Sequence, residues 1–62
     1  MPQNNILRLR HVIAKTGLSK STIYALLSEG KFPARIQLSS RSVGFSEIEI
    51  DDWIAEKLSN RA

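Results

Sequence analysis

The chain has 62 residues, no cysteine and a formal net charge of +3. A domain of this length withdraws only about 60% of its unfolded surface from water, which leaves room for one small core and none for a substrate cleft. The lack of cysteine excludes a disulfide framework and a thiolate metal site. Met1-Pro2-Gln3-Asn4-Asn5 is not a basic-then-apolar leader and no run approaches the ~20 apolar residues of a membrane span, so the expectation is a cytoplasmic protein.

Read in chain order, residues 1–62 form one expected domain, with 1–5 as a flexible N-terminus. A first helix is expected from near Arg8 or Leu9 to Lys15, because Leu9, Val12 and Ile13 fall at i, i+3 and i+4. Gly17 follows, and two helices crossing steeply need a backbone position at positive φ, which glycine adopts at little cost. Leu18 is expected to drop between the helices. Ser19 stands where an N-cap belongs, before a second helix from Lys20 to about Glu29 with Gly30 as its stop. Ile23, Leu26 and Leu27 share one face of that helix. The opposite face carries Ser21, Ala25 and Ser28, flanked by Thr22 and Tyr24. Such short side chains let a helix backbone approach base edges in a major groove.

Phe32-Pro33 blocks helix continuation, and the period then changes. Ile36 and Leu38 alternate with Arg35 and Gln37, Val43 and Phe45 repeat the alternation, and Ser39-Ser40-Arg41-Ser42 forms a polar turn between them. An isolated two-stranded ribbon is unstable in water, so Ile36, Leu38, Val43 and Phe45 are all expected to point inward, with Gly44 at a bulge or a close backbone approach. The last helix opens on the capping box Ser46-Glu47-Ile48-Glu49, and Glu47, Glu49, Asp51 and Asp52 complement its dipole. Ile50, Trp53, Ile54 and Leu58 follow at helical spacing, with Trp53 as the expected core anchor. The resulting fold class is mainly α with a small β-hairpin: a compact winged helix-turn-helix of three helices and a two-stranded wing.

Charge is divided along the chain. Residues 1–45 carry Arg8, Arg10, Lys15, Lys20, Lys31, Arg35 and Arg41 against Glu29 alone, whereas 46–62 carry Lys57 and Arg61 against Glu47, Glu49, Asp51, Asp52 and Glu56. The helix-turn-helix half is therefore the basic half, and a polyanion is drawn to it. Other chemistries find no support. His11 lacks a second histidine or a cysteine to share a metal, and the acidic pairs have the positions of capping groups. No serine has a histidine and acid constellation, and there is no glycine-rich phosphate loop. Neither an enzyme nor a cofactor is expected. For Tyr24, a base or phosphate contact and simple edge packing both fit.

Four ordered blocks, Gly17-Leu18-Ser19-Lys20-Ser21-Thr22-Ile23-Tyr24, Glu29-Gly30-Lys31-Phe32-Pro33, Arg41-Ser42-Val43-Gly44-Phe45 and Glu49-Ile50-Asp51-Asp52-Trp53-Ile54, resemble the AlpA-type prophage regulators. The resemblance covers nearly the whole chain. It implies a winged helix-turn-helix of the kind shared with phage excisionases and the DNA-binding part of MerR-type regulators. It further implies a small transcriptional activator or a DNA-bending accessory factor of site-specific recombination. On this likeness Ser19, Lys20, Ser21, Thr22 and Tyr24 belong to the recognition helix and Arg41 to the wing. Ala25 stands where relatives often carry arginine, Ser39-Ser40 where a glycine-proline wing turn is common, and Phe45 in place of a usual tryptophan.

The expected mechanism puts helix 20–29 in a major groove and wing 36–45 on the backbone or in an adjacent minor groove. The candidate DNA-contacting residues are Ser19, Lys20, Ser21, Thr22, Tyr24, Ala25, Ser28, Arg35, Ser40 and Arg41. Arg10, Lys15, Lys31 and Arg35 are expected to add nonspecific attraction. The expected partner is double-stranded DNA, with a recombinase or self-association on DNA as further partners and no heptad helix to dimerise the chain beforehand. The alternatives are an excisionase-like directionality factor, or a module that docks on a recombinase or repressor without touching DNA.

Overall fold

Two glycines set the course of the backbone. Gly17 (φ 74°) and Gly30 (φ 71°) are the only described residues at positive φ, and each ends a helix. In the computed structural model, which describes residues 5–60, the elements are β1 (Ile6–Leu7), α1 (Leu9–Thr16), α2 (Lys20–Ser28), β2 (Ile36–Ser39), β3 (Ser42–Ser46) and α3 (Glu47–Ser59). The Gly17 amide closes α1 on the Ile13 carbonyl at 2.8 Å. Thr16 Oγ1 then donates to the Val12 carbonyl (2.8 Å) and accepts from the Leu18 amide (3.2 Å), so one hydroxyl stitches the turn. After α2, the Gly30 amide reaches the Leu27 carbonyl at 3.2 Å and the Lys31 amide the Leu26 carbonyl at 2.9 Å. That pair of bonds is a Schellman closure. At the start of α1, the Arg8 amide donates to His11 Nδ1 at 3.4 Å, which gives this exposed histidine a structural role.

The sheet is larger than the expected hairpin. Its order is β1-β3-β2, all antiparallel, and β1 lies within a stretch that carries no strand signal. Ile6 pairs with Ser46 and Leu7 with Phe45, while on the other side Ile36 pairs with Gly44 and Gln37 with Val43, before a register shift brings Ser39 opposite Ser42. Directly opposed residues share a face. Val43 and Phe45 therefore occupy one face, and Ile36 with Gly44 the other. The expectation that Ile36, Leu38, Val43 and Phe45 all point inward is thus corrected by register: Phe45 is buried, Val43 and Ile36 are half-buried on opposite faces, and Leu38 is 41% exposed. Gly44 is the expected close approach. A Cβ there would overlap Ile6 Cγ2 and lie 3.1 Å from Leu38 Cδ1 and 3.2 Å from the Leu7 carbonyl oxygen.

Val12, Ile23, Phe32, Phe45 and Ile50 form the core, which draws on α1, α2, the α2–β2 connector, β3 and α3. Trp53 is not its centre. The indole is half-buried at the margin, where it packs edge-on against Phe32 (centroids 4.9 Å apart) and donates from Nε1 to the Lys31 carbonyl at 3.0 Å. An indole N–H needs an acceptor, and the margin of the core supplies one. Leu58, also expected inside, is 56% exposed, because a 13-residue helix about 20 Å long outruns so small a core.

Ser46 ends β3 and caps α3 with no residue between, its Oγ accepting from the Glu49 amide at 3.3 Å. Asn5 reinforces this corner: its carbonyl accepts from the Glu47 amide (2.9 Å) and its Nδ2 donates to Glu47 Oε1 (3.0 Å). Residues 1–4 of the expected N-terminal tail lie outside the described residues. No helix among the described residues is long and apolar enough to cross a membrane. The contacts around Gly44 make Gly44→Ala destabilising by about 1–3 kcal/mol. Adding Ile6→Ala removes the branched side chain that the new methyl meets, so thermal unfolding of the double variant should show part of that loss recovered rather than a further drop.

Candidate nucleic-acid interface

Helix α2 begins with its cap intact. Ser19 is extended (φ −76°, ψ 161°), and its Oγ accepts from the Thr22 amide at 3.2 Å and lies 2.9 Å from Thr22 Oγ1. The amides of Lys20 and Ser21 have no acceptor among the described residues, as the first turn of a helix requires unless something outside it provides one. Ile23 is completely buried and Leu26 and Leu27 are half-buried, which rotates Ser21, Ala25 and Ser28 outward. Ser28 Oγ donates to the Ala25 carbonyl at 2.8 Å, so its proton is turned back into the helix and its lone pairs face solvent. Lys20, Thr22 and Tyr24 complete an exposed surface of polar residues.

Beside this surface the molecule is concave. Tyr24 and Ser28 form one wall of an open depression of about 690 Å³, Leu27 and Phe32 line it, and Arg35 stands on the connector across from them. The structure thereby brings together Tyr24, Ser28 and Arg35, which the sequence could name only one by one. Ser40 and Arg41 are exposed in the turn between β2 and β3. That turn is held by a residue the sequence reading passed over: Gln37 Nε2 donates to the Ser39 carbonyl and, at 3.5 Å, to the Ser42 carbonyl. The Arg41 amide adds a bond to Ser39 Oγ at 3.4 Å. A long side-chain amide two positions before the Ser39–Ser42 turn was the available signal.

The cations divide into two groups. Lys15 Nζ lies 2.6 Å from Asp51 Oδ1 and 3.3 Å from Glu47 Oε2, so it is engaged with α3 and not available for the expected nonspecific attraction. The Asp51 carboxylate first holds its ammonium above the ordinary lysine range, against an opposing effect of desolvation and with Glu47 adding to the rise. Lys31 faces Glu29 at 3.7 Å in full solvent, a contact worth little. In the basic half Arg8, Arg10, Lys20, Arg35 and Arg41 are exposed and make no ion pair among the described residues. No three acidic or histidine side chains among those residues converge as metal ligands.

The family model described as "Prophage CP4-57 regulatory protein (AlpA)" matches residues 5–58, from the residue before β1 to the last turn of α3. The chain belongs to this family. It is 41% identical over 58 residues to a protein of Escherichia coli (strain K12) named "DNA-binding transcriptional activator AlpA", covering 84% of this chain and 83% of that one. It is also 36% identical over 59 residues to "Uncharacterized protein ORF88" of Enterobacteria phage P4, covering 95% of this chain and 67% of that protein. The family match over residues 5–58 includes all three strands and the α1–α2 turn that orients the exposed surface of α2.

The engagement of Lys15 has a measurable consequence for stability. Because its pKa is raised in the folded state, the stabilisation is fully present below its unfolded value near 10.5 and is lost as pH rises through the higher folded value. Urea unfolding of the wild type and of Lys15→Met should therefore differ by a constant amount from neutral pH up to about pH 10 and converge above it. The same difference should shrink in concentrated salt, since the pair is partly exposed.

Proposed function

We propose that this chain is a sequence-specific DNA-binding transcriptional regulator of phage type, acting in the bacterial cytoplasm as a single winged helix-turn-helix domain. The observation that carries this reading is the outward surface of α2, where short side chains at Ser21, Ala25 and Ser28 follow a capped N-terminus and lie beside cations without internal partners. The name of the Escherichia coli relative supports it. In this reading α2 enters the major groove, its first-turn amides and Lys20 take phosphates, and Ser40 and Arg41 in the wing turn meet the backbone or an adjacent minor groove. Thr22 serves the cap from within and meets the groove through its methyl. A single module of this size binds modestly, so regulation uses adjacent copies assembled on one stretch of DNA.

The test is fluorescence anisotropy with labelled duplexes from the DNA around the protein's own gene, against random competitor. With about four or five phosphates neutralised, log affinity should fall with log salt at a slope near −4. Arg41→Ala should weaken binding by about 1–3 kcal/mol. Competition by random DNA at equal strength would replace sequence reading with an architectural, excisionase-like role. Absence of binding at low salt would overturn the reading and favour a protein-docking module.

A further inference from the structure

We infer that the depression between α2 and the 32–35 connector is the seat of one phosphodiester of the bound duplex, gripped jointly by the Arg35 guanidinium and the Tyr24 hydroxyl. The inference rests on the DNA-binding reading and adds to it the way one strand is held. An α-helix with its side chains is about 10–12 Å across and a major groove about 12 Å wide, so a helix presenting Ser21, Ala25 and Ser28 to base edges has a phosphate strand along each flank. Tyr24 lies on one such flank, with Ser28 one turn further on at its border with the base-facing side, and there the protein surface recedes instead of bulging.

The lining suits a nucleotide backbone. No carboxylate borders the depression, and Arg35 makes no ion pair among the described residues. Leu27 and Phe32 offer apolar surface against which a deoxyribose can pack. The far wall is rigid, because Phe32 is wedged between Phe45 and Trp53 and the Lys31 carbonyl is held by the Trp53 indole. A planar guanidinium on such a support donates to two phosphate oxygens with little ordering left to do. Of the two roles open to Tyr24 in the sequence, this one assigns it a phosphate contact.

The test compares the wild type, Tyr24→Phe, Arg35→Ala and the double variant, all checked for an unchanged melting midpoint, on a cognate duplex carrying one methylphosphonate at a time. Arg35→Ala should weaken binding about tenfold and make the salt slope shallower by about one. Tyr24→Phe should weaken it severalfold with the slope unchanged, and the double variant should lose less than the product of the two. Neutralising one particular phosphate should weaken the wild type most, Arg35→Ala much less and the double variant not at all. Full-strength binding by Arg35→Ala, or the two side chains mapping to different phosphates, would overturn this inference alone. Failure of the wild type to bind any duplex would overturn the DNA-binding reading together with it.

Discussion

The arrangement of the candidate interface depends on one aromatic ring. Phe32 meets Phe45 nearly perpendicularly at 6.0 Å between centroids and Trp53 at 4.9 Å, so a single side chain on the α2–β2 connector touches both the central strand and the third helix. Edge-on aromatic pairs contribute about 0.5–1.5 kcal/mol each beyond the area they bury, a large share of what a domain of this length has to spare. The Trp53 indole then fixes the backbone at Lys31. With Phe32 and Lys31 both held, the chain through Pro33 to Arg35 has little freedom, and the side of α2 facing it becomes a wall with a fixed opposite.

Economy elsewhere makes so small a core sufficient. Ser46 serves as the last residue of a strand and the cap of a helix, and Asn5 bonds the first amide of that helix with its carbonyl and the Glu47 carboxylate with its side chain. The sheet gains a third strand from only two residues. That addition flanks β3 on both sides, so the wing is braced by a paired central strand instead of standing out as a bare hairpin. Backbone polar groups at these junctions are satisfied locally, and the five buried apolar residues are left to hold the elements together.

Local chemistry was legible in the sequence, and tertiary placement was not. Gly17, Ser19, Gly30 and Ser46 announce their roles because left-handed conformations and helix caps are set by the residue itself. The exposed residues of α2 were legible for the same kind of reason, since helical periodicity fixes Ser21, Ala25 and Ser28 opposite Ile23. Strand β1 was invisible because two residues carry no periodicity. The inward set of the hairpin was misjudged because alternation within a strand does not say how two strands are registered, and the pairing of Ile36 with Gly44 puts Leu38 outside. Helical spacing puts Trp53 on the inner side of α3 but does not say how deep it sits, and Phe32 beside Pro33 signals a helix stop with no sign of its place in the core. The depression joining Tyr24, Ser28 and Arg35 exists only after the connector has folded back, which no local pattern encodes.

The charge division along the chain also changes meaning in three dimensions. In the sequence the acidic segment 46–62 reads as a region that repels a polyanion, with its carboxylates explained by the dipole of α3. In the fold, two of those carboxylates reach across to Lys15 in the last turn of α1, where a cation is favourable to that helix as well. One ammonium thereby joins the end of the first helix to the start of the third, at the turn from which α2 departs. It is withdrawn from the basic surface for that purpose. What remains of the basic half without an ion pair among the described residues, Arg8, Arg10, Lys20, Arg35 and Arg41, is a smaller set than the sequence suggests, but each member is exposed, and two of them stand on backbone tied down by Gln37 or by the Phe32–Trp53 contact. A few cations on fixed supports constrain the approach of an anionic partner more tightly than a larger number on mobile ones, because less conformational freedom is lost when contact is made.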